Sequence, residues 1–568
     1  MEIACEAAMV KKQMGGRKRK PVHWWSQEIA DLRRGSHAAG RGYQRTMKRA
    51  RRRPQDPQAA QEAAEAHSIY HQQRAHLTKE IKRSKANCWK DLCKEADLQP
   101  FGLAYKMVMG KLARKVMPTC PELLSRIVDA LFPTQQELAY LFRHREIPTP
   151  PQIGAEELLK AAKSREIGKA PGPDGIPAIA VRTIAITYPE AIAKTFNQCL
   201  LEHVFPTGWK LQWLVLLPKT GKDSEDPAGY RPLCMISVTV KLFERIIANR
   251  LEAEIDSLQG LSELQFGFRK RRSTTDAIRA VVGKAREVIA GKRWHGGTKK
   301  YCLVTTLDVK NAFNSARWPS IIAALSRIGV SEYLVSIVVS YFKNRVLLFD
   351  TSTGQKRRQV TGGVPQASAL GPLLWNVIYD GILRLDTPAG CSIVGFADDI
   401  AVVAVHKTLT EVEQNTIETV RRVMCWLQKN GLSLAAHKTE SVLISTRKKV
   451  ETARGVVGTD EIESSPAIKY LGVHLDHRLS FKQHLEETGV KAGRAASVLS
   501  GIMANIGGPR QRSRLLICSV VRAIIMYAAQ IWAPAMELPT YSRHGANRPS
   551  RRWNHHRRPG NPRGGDPT

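Results

Sequence analysis

The chain predicts an α+β fold in which short apolar strands alternate with amphipathic helices. Short runs rich in Val, Ile and Leu recur at 213–217, 303–307, 391–395 and 400–405, a composition that favours strands. Longer stretches at 155–163, 241–251, 373–383 and 410–429 carry helical spacing or composition. Loops dense in Gly and Pro separate them, above all 168–177 and 361–372.

At 568 residues the chain has room for several domains, and 43% apolar with 24% charged residues is a globular composition. The charge balance is unusual: 87 Lys+Arg against 51 Asp+Glu give +36. That excess points to a polyanionic partner, with nucleic acid ahead of a membrane surface. The longest apolar stretch, 515–536, is interrupted by Arg522 and makes a poor span, so no membrane partner is expected. No signal peptide is visible, since Glu2 and Glu6 precede a basic run. The ten cysteines include no CxxC pair, and Cys88 and Cys93 lack partners at zinc-ligand spacing. They read as reduced thiols of an intracellular protein.

Residues 1–60 hold 15 Lys/Arg against 5 Asp/Glu, in runs at Lys11-Lys12, Arg17 to Lys20 and Lys48 to Arg53. Such runs serve as nuclear import signals or phosphate contacts, or form a solvated, disordered arm. Residues 58–94 lack Gly and Pro and predict a long helix carrying Ile69, Tyr70, Leu77, Ile81, Trp89 and Leu92.

After the 155–163 helix, the loop 168–177 is either a cradle for a nucleic-acid strand or a structural turn. The 213–217 strand delivers Lys219, and a polar turn leads to Arg231. A Lys and an Arg on one hairpin suit a triphosphate, as point charge and bidentate fork; singly, each is a surface cation. The basic loop 265–273 interleaves aromatics in a pattern that suits single-stranded nucleic acid. The 303–307 strand then presents Asp308. Phe313 follows five residues later, either as a core aromatic or beneath the sugar of a nucleotide, where a ring clashes with a 2′-OH. Pro319 opens a helix that stops near Gly329. Gln366 lies in the 361–372 loop, whose glycines allow close approach of a ligand.

The organising stretch is Phe396-Ala397-Asp398-Asp399, a turn between two strands. Alone, adjacent carboxylates read as a solvated turn. Together with Asp308 they make an oxygen-rich set suited to two Mg²⁺ ions about 3.5–4 Å apart. Lys438 precedes the 441–444 strand, as a surface cation or a proton donor to departing pyrophosphate. A strand-turn signal follows at 468–473.

The ordered series GKAPGPDGIP, LPK…YRPL, QFGFRKRRSTTDAI, LDVKNAF, GGVPQASALGPLLWN, FADD, HKTE and KYLGV resembles the reverse transcriptases of non-LTR retrotransposons across roughly residues 150–480. LDVKNAFNSARW and RPLCM are most similar to the type-1 elements of insect ribosomal RNA genes. The resemblance implies a right-hand polymerase that copies element RNA into DNA by target-primed reverse transcription. Its metal ligands are Asp308, Asp398 and Asp399, with Mg²⁺ (or Mn²⁺) as cofactor, and Lys438 is its acid. Lys219, Arg231, Phe313 and Gln366 attend the deoxynucleoside triphosphate. An RNA template and a DNA primer or target are its partners, in the nucleus or in a cytoplasmic ribonucleoprotein.

The expected division is 1–54 basic flexible arm, 55–150 helical pre-polymerase region, 151–300 fingers, 301–478 palm, 479–540 partial thumb and 541–568 disordered tail. Where the resembled family usually has Gly after the motif's Gln, this chain has Ala367. The family's usual preceding endonuclease and following Cys/His segment find no match here, and residues 541–568 carry seven Arg and no Lys. A degenerate copy that binds nucleic acid without polymerising is therefore the alternative.

Overall fold

The computed structural model describes residues 24–110, 118–136, 138, 148–164, 168–219, 221–290, 300–447, 451–503 and 508–537. The basic runs at 11–20 and the tail at 541–568 lie outside them.

Four antiparallel strands form the central sheet, in the order Cys391–Phe396, Asp399–His406, Tyr301–Asp308, Glu440–Ile444. Both faces are covered, which explains why the Tyr301–Asp308 strand is apolar at nearly every position. Cys302 and Val304 pack with Ala277, Val281 and Ala285 of the Thr274–Ala290 helix. Leu303 and Leu307 face the other way, toward Val412, Val420 and Val423 of the Leu409–Lys429 helix. A period of two thus sorts one strand into two cores and brings its terminal Asp308 to the sheet's edge.

A second sheet runs Tyr230–Met235, Leu211–Pro218, Arg345–Thr351, Gly354–Val360. Its central pair is parallel and joins chain from either side of residue 300. The last two strands form a hairpin not expected from the sequence. The outer one, Gln-Lys-Arg-Arg-Gln, is an exposed edge whose polarity masks its pairing.

The α+β class is as expected, and the strands at 213–217, 303–307, 391–395 and 400–405 all form. The flexible arm is corrected over part of its length: Gln27–Arg52 is a 26-residue helix. It pairs with the expected long helix, which spans Pro57–Leu98. Charge alone argued for disorder, but local devices prevail. Ser26 caps the first helix by accepting from the Ile29 N–H at 3.2 Å. Asp56 caps the second, with Pro57 at its first turn. Ile29 is buried, and Tyr43 stacks on Tyr70 at 6.2 Å across the pair.

The C-terminal helices Lys482–Ser500 and Gln511–Met526 pack on Tyr105 and the end of that long helix through Leu499, Ile502 and Ile517. Gln511–Glu537 is apolar and long enough to cross a membrane on length and composition. It is not one straight helix, because the regular helix ends at Met526 and Ala528 takes a left-handed φ of +52°.

Candidate functional site

Strand register builds the site. Asp308 lies directly opposite Asp399 in the antiparallel pair, and Phe396 opposite Asp399 on the other side. Directly opposed residues share a face, so the Asp308 and Asp399 side chains are neighbours. Asp398 occupies the tight turn between them, after Ala397 at a left-handed φ of +57°. The Asp398 carboxyl is pushed up by burial and by the Asp308 charge, and eased by Arg231 and Lys438. Burial, then Asp398 and Asp308, raise Asp399 to about 6. Lys438 answers this crowding with an ion pair to Asp308 Oδ2. Lys219 sits in the same field: burial, Lys438 and Arg231 hold its ammonium below the usual lysine range, with Asp308 opposing.

The expected residues Asp308, Asp398, Asp399, Lys438, Lys219 and Arg231 are thus within electrostatic reach of one another. They sit beside a cleft of about 590 Å³ whose walls include Asp308, Asp399, Lys438, Lys469, Tyr470 and Gly472. The sequence marks 468–473 as a strand-turn signal and as the motif KYLGV, but does not reveal that it faces the acids. The three carboxyls are not closed into a cage. Among the described residues no trio of His, Cys, Asp or Glu is gathered tightly enough to hold a metal alone. The chemistry of the donors nevertheless fits a divalent ion that takes its remaining oxygens from substrate and water. The donors are hard carboxylate oxygens, and burial and mutual repulsion push two of them up, a penalty that a nearby cation would relieve.

Neighbouring elements hold the acid turn rigidly. Trp375 donates its indole N–H to the Ala397 carbonyl at 2.9 Å, and the Tyr379 hydroxyl donates to the Asp399 carbonyl at 2.9 Å. These residues stand four apart on the Gly371–Leu383 helix, a spacing that marks one helical face and was not read from the sequence. On the opposite side Gly267 presses against the turn. A Cβ there would lie 2.0 Å from the Ala397 nitrogen, so only glycine fits.

Phe313 is half-buried rather than free in the cleft. It stacks on Trp375 at 5.3 Å and meets Phe268 edge-on at 5.6 Å, which ties it to the acid turn through Trp375. Gln366 is half-buried, and its carbonyl accepts from the Cys234 N–H at 3.1 Å. Ala367 is exposed with φ at +79°, a conformation glycine adopts without strain.

The basic loop 265–273 is only partly available to a ligand. Phe266 is buried, Arg269 donates to the Ser262 carbonyl at 2.8 Å, and Arg272 pairs with Glu263. Phe268 remains 54% exposed. These side chains serve the fold as well as any strand of nucleic acid. The 168–177 loop packs Gly172 against the backbone at Ile236 and Ser237, where a Cβ would meet the Ser237 nitrogen at 2.5 Å.

Residues 217–475 match the family model described as reverse transcriptase (RNA-dependent DNA polymerase). The chain is 26% identical to the retrovirus-related Pol polyprotein from type-1 retrotransposable element R1 of Bradysia coprophila, over 90% of this chain and 50% of that one. It is 27% identical to the probable RNA-directed DNA polymerase from transposon BS of Drosophila melanogaster, over 68% of this chain and 43% of that one. The R2 polyprotein of Nasonia vitripennis is 28% identical, over 67% and 35%. The chain therefore spans about half or less of these relatives' lengths. Among solved structures, apo telomerase from Candida tropicalis aligns with a TM-score of 0.35 and 12% identity, over 63% of this chain and 66% of that one.

Proposed function

We propose that this chain, whose residues 217–475 are a reverse transcriptase domain of the non-LTR retrotransposon kind, extends a DNA 3′ end along an RNA template with deoxynucleoside triphosphates. One observation carries the reading: Asp308 stands opposite Asp399, with Asp398 in the adjoining turn, at the wall of a cleft that Lys438 and Lys469 also line.

Asp308, Asp398 and Asp399 would hold Mg²⁺ or Mn²⁺, which when bound would supply positive charge against the phosphates and activate the primer hydroxyl. Arg231 and Lys219 orient the triphosphate and offset its charge. Gln366 borders the nucleotide, and Phe313, braced by Trp375, excludes a 2′-OH. Lys438 gives a proton to the departing pyrophosphate. The chemistry is then attack by the 3′-OH on the α-phosphorus, assisted by positioning and charge neutralisation.

In the cell we propose a nicked chromosomal DNA as primer and the element's own RNA as template, which makes the nucleus the site of action and a membrane no partner. The basic helical pair Gln27–Leu98 lends itself to the RNA backbone. Its first helix carries eight Lys/Arg against two acids.

The test is extension of a DNA primer annealed to RNA, with Mg²⁺ and all four deoxynucleotides. Extension that Asp398→Asn abolishes supports the polymerase. Tight binding of primer–template without extension supports a non-polymerising copy instead.

A further inference from the structure

Glu244 is the most completely buried acid outside the cleft, with none of its surface exposed, on the Val238–Leu258 helix. Ionised carboxylates avoid apolar interiors unless their oxygens are hydrogen-bonded, and here both are. Oε1 accepts from the Tyr341 hydroxyl at 2.8 Å, and Oε2 accepts from the Ala369 backbone N–H at 2.7 Å. The first partner belongs to the core. The second belongs to the loop that carries Gln366 and Ala367. Three residues before that contact, the Gln366 carbonyl accepts from the Cys234 N–H at 3.1 Å. The short span 366–369 is therefore fixed at each end by the segment 234–244. The same segment receives Gly172 of the 168–177 loop.

We infer that Glu244 is a positioning residue for the nucleotide subsite: its buried carboxylate holds the Ala369 N–H and so sets the path of the Gln366–Ala369 turn. This rests on the polymerase reading above. Glu244 touches no substrate and acts through the backbone it tethers. An apolar side chain of similar size would fill the same space without the cost of burying a charge, but it would leave the Ala369 N–H without an acceptor. The Arg345 guanidinium, 4.3 Å above the Tyr341 ring, adds positive charge beside the pair.

The inference separates the two oxygens. Tyr341→Phe removes the core hydrogen bond and keeps the tether, Glu244→Gln keeps one acceptor for the Ala369 N–H, and Glu244→Leu removes the tether. Amide hydrogen exchange on the full chain should show Ala369 protected and Ala367 exchanging freely. In Glu244→Leu the protection is lost, and the KM for deoxynucleotide rises about tenfold with kcat nearly kept. Tyr341→Phe leaves both readings at wild-type values, and Glu244→Gln restores them. Equal losses in Tyr341→Phe and Glu244→Leu would mean that the carboxylate serves only general stability, and would overturn the inference. So would a wild-type Ala369 amide that exchanges as fast as Ala367, a result that needs no variant to fold. A wild-type chain that extends no primer defeats the polymerase reading, while amide protection still decides the tether.

Discussion

The central sheet and the N-terminal helical pair meet opposite demands with opposite designs. In the sheet, strand Tyr301–Asp308 is buried along almost its whole length, and only Thr306 and the terminal Asp308 are half-buried. In the Gln27–Arg52 helix only Ile29 and Ser36 are buried, and its charged residues are mostly basic. The two-metal chemistry proposed for the acids would need carboxylates fixed to a fraction of an ångström, and strand register supplies that rigidity. The grip on a polyanion proposed for the helical pair would need charge and reach but little precision, which a thinly cored pair can give.

The largest expected effect breaks the sheet's side of that contrast. Asp308→Asn should lower primer extension by roughly 10³-fold or more, with unfolding midpoint and nucleic-acid affinity nearly unchanged. Paired extension and denaturation assays check it. Next comes Gly267→Ala, whose methyl would fall 2.0 Å from the Ala397 nitrogen. It should cost roughly 1–3 kcal/mol in stability and distort the acid turn, so that urea midpoint and extension fall together.

The helical side responds differently. Arg33, Arg41 and Arg74 line a hollow of about 540 Å³ between the two helices, beside Trp25 and Tyr70. Changing all three to Gln should weaken RNA binding roughly tenfold at moderate salt and lower the salt slope by about two, with kcat on saturating primer–template unchanged. Affinity measured across a salt series gives both quantities. The smallest effect is expected at Ala367. Its φ of +79° is strained for any residue with a Cβ. Ala367→Gly relieves about 1 kcal/mol of backbone strain, seen as a slightly higher melting temperature and a few-fold change in deoxynucleotide KM at most.

What the sequence disclosed follows the same division. Strands with β-branched residues and their acids were legible, because burial on both faces leaves a dense apolar signature around Asp308 and Asp399. The Gly354–Val360 strand was not, since an exposed edge need not be apolar. The Gln27–Arg52 helix was hidden by its charge, although Ser26 and Asp56 carried readable capping signals. Trp375 and Tyr379 show their four-residue spacing, but within an apolar helix nothing marks them as donors to a distant turn. Glu244 left only a faint mark, an acid inside the apolar run Leu242-Phe243-Glu244-Arg245-Ile246. Its two acceptors are met by Tyr341 and Ala369, roughly a hundred residues away along the chain, and no local pattern reveals such partners. The basic loop 265–273 shows the same limit, because Glu263 and Ser262 bind arginines whose partners the sequence does not reveal.

Polymerase chemistry at this site requires the three acids at the end of one sheet to bind divalent cations together. Titrating Mn²⁺ by electron paramagnetic resonance, in the presence of primer–template and a non-extendable deoxynucleotide, measures that directly. Two tightly held ions in the wild type, with loss of at least one in Asp308→Asn, is the predicted result. An ion count and affinity that Asp308→Asn leaves unchanged would contradict it.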